Sequence, residues 1–209
     1  MDSVEYIRKF PIKAFKRGEV LLASGDPLTD LIAVRQGYVK VVSISDAGRE
    51  SILWIAGRYD IIPTEQLFAR QATSRFFYIA ITDGEYYQID KLTFLKDAHD
   101  SPSLMTNIAR GMSEHYDDLM RQLTAMEATS IRERLMRTLC YLANRFSADG
   151  QVDLYQEGFR ITHQELAATI GTTRETTSLE LSKLRKAGLV DYDRQHFTVN
   201  VDAIMAQLD

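Results

Sequence analysis

The chain has 209 residues, 45% of them hydrophobic and 26% charged, with a formal net charge of −4. That composition is ordinary for a globular protein of one large domain or two small ones, and it excludes collagen, wholesale disorder and a disulfide scaffold. No apolar run is long enough to cross a bilayer, and Met1–Glu5 is acidic where a signal peptide would be apolar, so cytoplasmic residence without a membrane partner is the default expectation.

Cys140 is the single cysteine, which excludes an internal disulfide, a four-thiolate zinc site and a four-cysteine iron–sulfur cluster. Acids slightly outnumber bases in each of the stretches 1–100, 101–130 and 131–209. Bulk charge therefore does not announce nucleic acid, and a DNA site has to be local.

Residues 12–92 read as β structure. Val20–Ala23 ends at Ser24-Gly25-Asp26-Pro27, and Leu31–Val34 ends at Gln36-Gly37. Val39–Val42 leads into a hairpin turn at Ser45–Gly48, followed by Ser51–Ile55 and Gly57. Phe76–Ile81 and Tyr86–Ile89 are split by Asp83-Gly84. Short strands at this regular spacing predict a sandwich or barrel-like roll. Its aromatics, Trp54, Phe76, Phe77, Tyr78, Tyr86 and Tyr87, are more readily core than pocket lining.

Ser101-Pro102 is a helix start, a cap residue followed by a proline whose missing N–H costs nothing there. Met105, Ile108, Met112, Tyr116, Leu119, Leu123 and Met126 then recur at a mean interval of 3.5 residues, the period of a coiled-coil seam. A helix packed on its own domain would also carry a stripe. The length of this one, with Arg110, Glu114, Asp117 and Arg121 off it, favours a helix paired with a partner helix.

Residues 130–146 predict a further helix, with a capping box at Ser130 and Glu133 and a stripe of Ile131, Leu135, Leu139, Leu142 and Phe146. Cys140 lies among these residues as a buried small hydrophobe. Ala148-Asp149-Gly150 breaks the helix.

The sharpest signal occupies residues 161–199. Thr162 and Glu165 form a second capping box, and Leu166, Ala167 and Ile170 make a short apolar face. Gly171 stands where a tight turn needs positive φ, and Thr172-Thr173 supplies hydroxyl caps for a helix from Arg174 to about Lys186 with a buried stripe of Thr177, Leu181 and Leu184. Helix, glycine turn and helix at these intervals form a helix-turn-helix pattern. Leu189–Tyr192, a polar turn at Asp193-Arg194-Gln195 and His196–Val199 read as a wing.

At 100° per residue, Arg174, Glu175, Ser178, Leu179 and Ser182 turn away from the stripe, where they would enter a major groove. Arg174 can donate to guanine O6 and N7, Glu175 can accept from cytosine N4, and Leu179 can touch a thymine methyl. Thr162, His163, Gln164, Thr173 and Thr176 complete the predicted DNA-binding set at the helix starts, where hydroxyls and amides suit phosphate oxygens. Residues 160–190 hold five bases, Arg160, Arg174, Lys183, Arg185 and Lys186, against three acids.

These motifs resemble the Crp–Fnr superfamily of bacterial transcription regulators. The resemblance is carried by Ile161–Ala167, by Ile170-Gly171-Thr172-Thr173-Arg174-Glu175-Thr176 and by Leu184 with Gly188-Leu189-Val190. In the first half it is carried by Phe15–Leu21, Ser24–Pro27 and Val34–Val41. It implies an α+β fold: a jelly-roll-like antiparallel roll similar to cyclic-nucleotide-binding domains (residues 1–100), a dimerisation helix (101–128) and a winged helix-turn-helix (129–209). It also implies a homodimer on a two-fold symmetric double-stranded DNA site, with RNA polymerase as a further partner and no enzymatic activity.

Two positions depart from the family. Leu179 stands where many members keep an arginine. Cyclic-nucleotide binders use the backbone N–H of a glycine and an arginine to hold the phosphate; here Pro63 falls on the glycine, and Ser74 on the arginine with Arg75 one place later. Proline has no N–H to give, and a one-residue shift along a strand reverses the side chain's face. This argues against a cyclic nucleotide, although a one-residue bulge would restore Arg75, and Thr64, Glu65 and Arg75 remain the candidate effector pocket. No cofactor is specified. His99, His115, His163 and His196 all lie outside the roll, which counts against a metal enzyme built on it. Two alternatives stand: a cyclic-nucleotide-responsive regulator of the same fold, and a degenerate helix-turn-helix serving as a protein contact.

Overall fold

The computed structural model describes residues 3–69, 73–146, 151–155, 158–194 and 196–208. The helix break expected at 148–150 and Gln195 of the expected wing turn lie outside these residues. The chain divides into two compact units, residues 1–117 and 118–209.

In the first unit a short helix, α1 (Ser3–Ile7), precedes eight strands: β1 (Ile12–Phe15), β2 (Val20–Leu22), β3 (Asp30–Gln36), β4 (Val39–Ile44), β5 (Glu50–Ala56), β6 (Ile61–Ile62), β7 (Phe77–Ala80) and β8 (Gly84–Asp90). They pair antiparallel into two sheets, ordered β1-β8-β3-β6 and β2-β7-β4-β5. The strands occupy the stretch 12–92 that the sequence pattern predicts, and α1 is an element that pattern does not contain.

The run Leu31-Ile32-Ala33-Val34 is buried throughout because β3 is covered on both faces. Side chains alternate along a strand. Leu31 and Ala33 therefore join Tyr6, Ile89 and Phe94 in one core cluster, while Ile32 and Val34 join Val41, Trp54 and Tyr78 in another. Gly37 turns β3 into β4 at φ 90°, with Asp83 and Thr82 so close that a Cβ would meet backbone oxygen at 2.7 Å. Only glycine fits that corner. At the next corner Gly48 N donates to Ser45 O at 2.8 Å, closing the expected hairpin.

Two helices follow, α2 (Lys91–Asp100) and α3 (Pro102–Glu127). Asp90 caps α2 by accepting from Thr93 N, and Ser101 Oγ accepts from Leu104 N at 3.3 Å at the start of α3. The seam on α3 is not uniform. Ile108 is buried, and Met105 and Met112 are half-buried, against the cluster of Tyr6, Leu31 and Phe94. The first half of the predicted pairing face thus packs on its own domain, because residues 102–112 lie over the roll's first core.

The second unit contains the carboxyl end of α3, then α4 (Ile131–Phe146), β9 (Gln151–Asp153), α5 (His163–Ile170), α6 (Arg174–Lys186), β10 (Val190–Tyr192), β11 (Phe197–Asn200) and α7 (Val201–Leu208). Ser130 Oγ accepts from Glu133 N, while the Glu133 carboxylate takes two bonds from Arg137. Leu135, Leu139 and Leu142 bury the stripe, and Cys140 is buried, its thiol pushed up to about 11 by lost hydration. The wing is a three-stranded sheet, β10-β11-β9. Its third strand comes from before the helix-turn-helix and was not predicted. Among the described residues no helix is long and apolar enough to cross a membrane.

Candidate nucleic-acid interface

The helix-turn-helix is built by local chemistry. Thr162 Oγ1 accepts from Glu165 N at 3.1 Å, and Glu165 Oε2 accepts from Thr162 N at 2.8 Å. Each satisfies a backbone donor that a helix start leaves over; a cap of this kind contributes roughly 1 kcal/mol. Gly171 ends α5 in the left-handed region at φ 68°, and Arg134 Nη1 donates to Ile170 O at 3.1 Å. Thr173 caps α6 by accepting from Thr176 N. Thr177, Leu181 and Leu184 are fully buried, which fixes the opposite face of α6 outward.

On that outer face Arg174, Glu175 and Leu179 are exposed, Leu179 at 57%. Ser182 is half-buried. Three of the five local bases have structural partners. Lys183 pairs with Glu180 at 2.7 Å; Arg185 pairs with Asp191 at 2.7 Å and lies over the Tyr192 ring. Arg160 donates to Arg194 O at 3.2 Å and lies over Tyr155. Arg174 and Lys186 form no ion pair among the described residues.

The residues at the helix starts divide. Thr162 and Gln164 are exposed, although the Thr162 hydroxyl also donates to Glu165. The hydroxyls of Thr173 and Thr176 lie 3.0 Å apart. His163 and Ser178 satisfy each other: His163 Nδ1 lies 2.8 Å from Ser178 Oγ, and the imidazole meets the Tyr192 ring edge-on at 5.4 Å. Burial, and then the charge of Arg174, hold His163 below its ordinary pKa.

The wing contains a pair that sequence reasoning missed. His196 Nδ1 lies 2.6 Å from Asp153 Oδ2, and Asp153 Oδ1 accepts from Phe197 N and Tyr155 N. Burial works against the Asp153 charge, but these bonds prevail and lower its pKa; the same bond raises that of His196. The partners are 43 residues apart, and no local pattern could announce them.

The candidate effector pocket holds residues already occupied with one another. A single 3-10 turn, Thr64–Gln66, follows Pro63. The Tyr78 hydroxyl donates to the Glu65 carboxylate. Glu65 is exposed as a residue, yet lost hydration around its carboxyl raises its pKa against the opposing Tyr78 bond. Gln66, 1% exposed, donates to Thr73 O and accepts from Arg75 N. Arg75 precedes β7 rather than lying on a strand, with its side chain exposed, while Ser74 is 4% exposed and bonded to Phe76. His115 on α3 lies against Trp54 of the roll, with ring centroids 4.0 Å apart and the planes tilted by 53°. Among the described residues no cluster of three His, Cys, Asp or Glu side chains could hold a metal ion.

Comparison with known proteins agrees with this architecture. Residues 12–97 match the cyclic nucleotide-binding domain family, and residues 133–204 match the Crp-like helix-turn-helix domain family. The chain is 29% identical to an anaerobic regulatory protein of Pasteurella multocida over 96% of its own length and 72% of the relative's. It is 26% identical to the transcriptional activator protein anr of Pseudomonas aeruginosa, covering 91% of this chain and 76% of that one. The fold is also that of FixK2 from Bradyrhizobium japonicum, with a TM-score of 0.80, 16% identity and coverage of 94% and 96% of the two chains. A capped, glycine-turned helix pair with its wing, following a nucleotide-binding-type roll and a long helix, makes this chain a member of the Crp–Fnr superfamily, a DNA-binding transcription regulator and not an enzyme.

Proposed function

We propose that the protein works as a homodimer joined along the second half of α3, presenting two copies of α6 to a two-fold symmetric DNA site. The observation that carries this reading is the outer face of α6, where Arg174, Glu175 and Leu179 stand exposed beside a fully buried stripe. Arg174 donates to guanine, Glu175 accepts from cytosine, Leu179 meets a thymine methyl and Ser182 lies deeper along the same face. Thr162, Gln164, Thr173 and Thr176 approach phosphate oxygens and set the register.

The α3 seam supports the dimer. Beyond the part packed on the roll, Tyr116 is 62% exposed and Leu123 61%, with Met120 and Met126 also exposed and Leu119 half-buried. A second copy of this face would remove those side chains from water, which is favourable by about 25 cal/mol per Å² of apolar area. Two-fold pairing also suits the need to hold two recognition helices about 34 Å apart on the duplex. The segment 127–130 then acts as the hinge through which a signal alters that spacing.

The residues of the candidate pocket do not fit a cyclic nucleotide. Pro63 offers no N–H to a phosphate, and at the arginine position stands Ser74, buried and bonded to Phe76, while Arg75 precedes β7 with its side chain exposed. The effector is therefore of another class, or the roll has none. The cytoplasm is the site of action, with RNA polymerase as the partner on DNA.

Gel shifts on genomic fragments with the wild type and Arg174→Ala test the reading. Wild-type binding that falls steeply with salt, and its loss in the variant, is the expected result. Equal binding by both removes Arg174 from the base-reading set. Absence of binding by either would leave the helix pair as a protein contact.

A further inference from the structure

We infer that His163 is a positioning residue: a strut that holds Ser178, and with it the middle of α6, at the angle the groove requires, rather than a phosphate contact. The inference rests on the reading of α6 as the base-reading helix. Its basis is a junction of three elements. His163 begins α5, its Nδ1 lies 2.8 Å from Ser178 Oγ on α6, and its ring meets Tyr192 of β10 edge-on at 5.4 Å. Tyr192 in turn stacks on Phe197 of β11, with ring centroids 5.6 Å apart, and the Arg185 guanidinium lies over the Tyr192 ring, 5.3 Å from its centroid.

This geometry leaves His163 poorly suited to an anion. Its Nδ1 is committed, its side chain is half-buried, and Arg174 nearby opposes a positive charge on the ring. A neutral imidazole releases no counterion from DNA and attracts phosphate weakly. The ring instead limits how α6 can roll about its axis. The fully buried Thr177, Leu181 and Leu184 hold the inner side of α6; Asp191 of β10 pairs with Arg185 in its last turn, and His163 grips its middle at Ser178. Fixing Ser178 also fixes Arg174, one turn earlier, and Ser182, one turn later, because side chains four apart share a helix face. The Ser178 hydroxyl is then directed by the imidazole rather than free to turn toward whichever base passes.

A double-mutant cycle tests the inference. The full-length protein selects a preferred duplex from a randomised pool, and fluorescence anisotropy measures affinity for that duplex and a scrambled control across a range of salt concentrations. His163→Ala and Ser178→Ala should each weaken preferred-site binding by about five- to tenfold, the worth of one hydrogen bond, and the double variant should be no weaker than either single one. Scrambled-duplex binding and the salt slope should stay unchanged. His163→Asn, which keeps a polar atom near the Nδ1 position, should restore affinity, and His163→Gln should not.

Losses that add in the double variant overturn the strut. So does a salt slope reduced by about one in His163→Ala, or retention by His163→Gln alone, each of which makes His163 a phosphate contact. Equal affinity in every variant overturns it as well. Arg174→Ala is the control for the underlying reading. If it leaves preferred-site binding intact, Arg174 is removed from the base-reading set and the strut loses the reading it rests on; if it abolishes binding while the His163 variants behave as phosphate contacts, only the strut fails. Circular dichroism confirms that each variant is folded, and Ser178→Ala, which removes one hydroxyl from a half-buried position, keeps the test available should a His163 variant unfold.

Discussion

Asp153 accepts from the His196 ring at 2.6 Å, so the strand before the helix-turn-helix is tied to the wing by side chains as well as by backbone pairing. The bond makes the wing sensitive to pH. His196 is raised above its ordinary 6.5 by the bond to Asp153, against some loss of hydration, so its contribution is complete below pH 6.5 and is lost as pH rises through the folded-state value. Asp153 is lowered from 3.8, so its contribution is present above that value and is lost as pH falls through the folded-state one. The pair therefore stabilises the wing between 3.8 and 6.5 and weakens above this window. His163, held below 6.5, has the opposite sign: its burial favours folding as pH rises. Comparing the wild type with His196→Ala cancels that opposing effect. The wild type should melt higher than the variant at about pH 6, with the gap closing toward about pH 8; a gap that stays constant would contradict the assignment.

Gly171→Ala should weaken folding and DNA binding together. At φ 68° a Cβ is strained by about 1–2 kcal/mol. The added methyl would also lie 3.2 Å from Met126 Cε at the end of α3. Urea titration measures the first effect and anisotropy the second. Unaltered stability would mean that the corner relaxes without cost.

Leu123→Asp tests the seam. Leu123 is exposed in the single chain, so the charge should leave the melting temperature of a dilute sample almost unchanged. A charge facing its twin across a two-fold seam is desolvated and repelled, so sedimentation should show monomers and DNA affinity should fall by about tenfold or more. Wild-type sedimentation as a monomer, or a dimeric variant, would move the interface elsewhere.

Leu179→Arg should change what the protein reads. A guanidinium at this exposed position can donate to guanine where the leucine offers only apolar contact, a discrimination of about 1–3 kcal/mol. Selection from a randomised pool should enrich guanine at one position in each half-site. An unchanged consensus would place Leu179 away from the bases.

The helix-turn-helix was legible because its determinants act within one helical turn. Thr162 reaches Glu165 three residues on, Thr173 reaches Thr176 in the same way, and Gly171 answers a purely local need for positive φ. The apolar run of β3 and the turn at Ser45–Gly48 are equally short-range. What eluded the sequence lies between distant segments. The α3 stripe has one period throughout, yet packing alone separates Ile108, buried against the roll, from Leu123 in water. Likewise β9 completes the wing from across α5 and α6, and Asp153 finds His196, His163 finds Ser178 and Trp54 finds His115 only after the chain has closed on itself. Backbone hydrogen bonding and capping are satisfied by near neighbours and so leave a periodic trace. Burial and side-chain pairing are satisfied by whichever residue the fold delivers, and that is decided by tertiary structure.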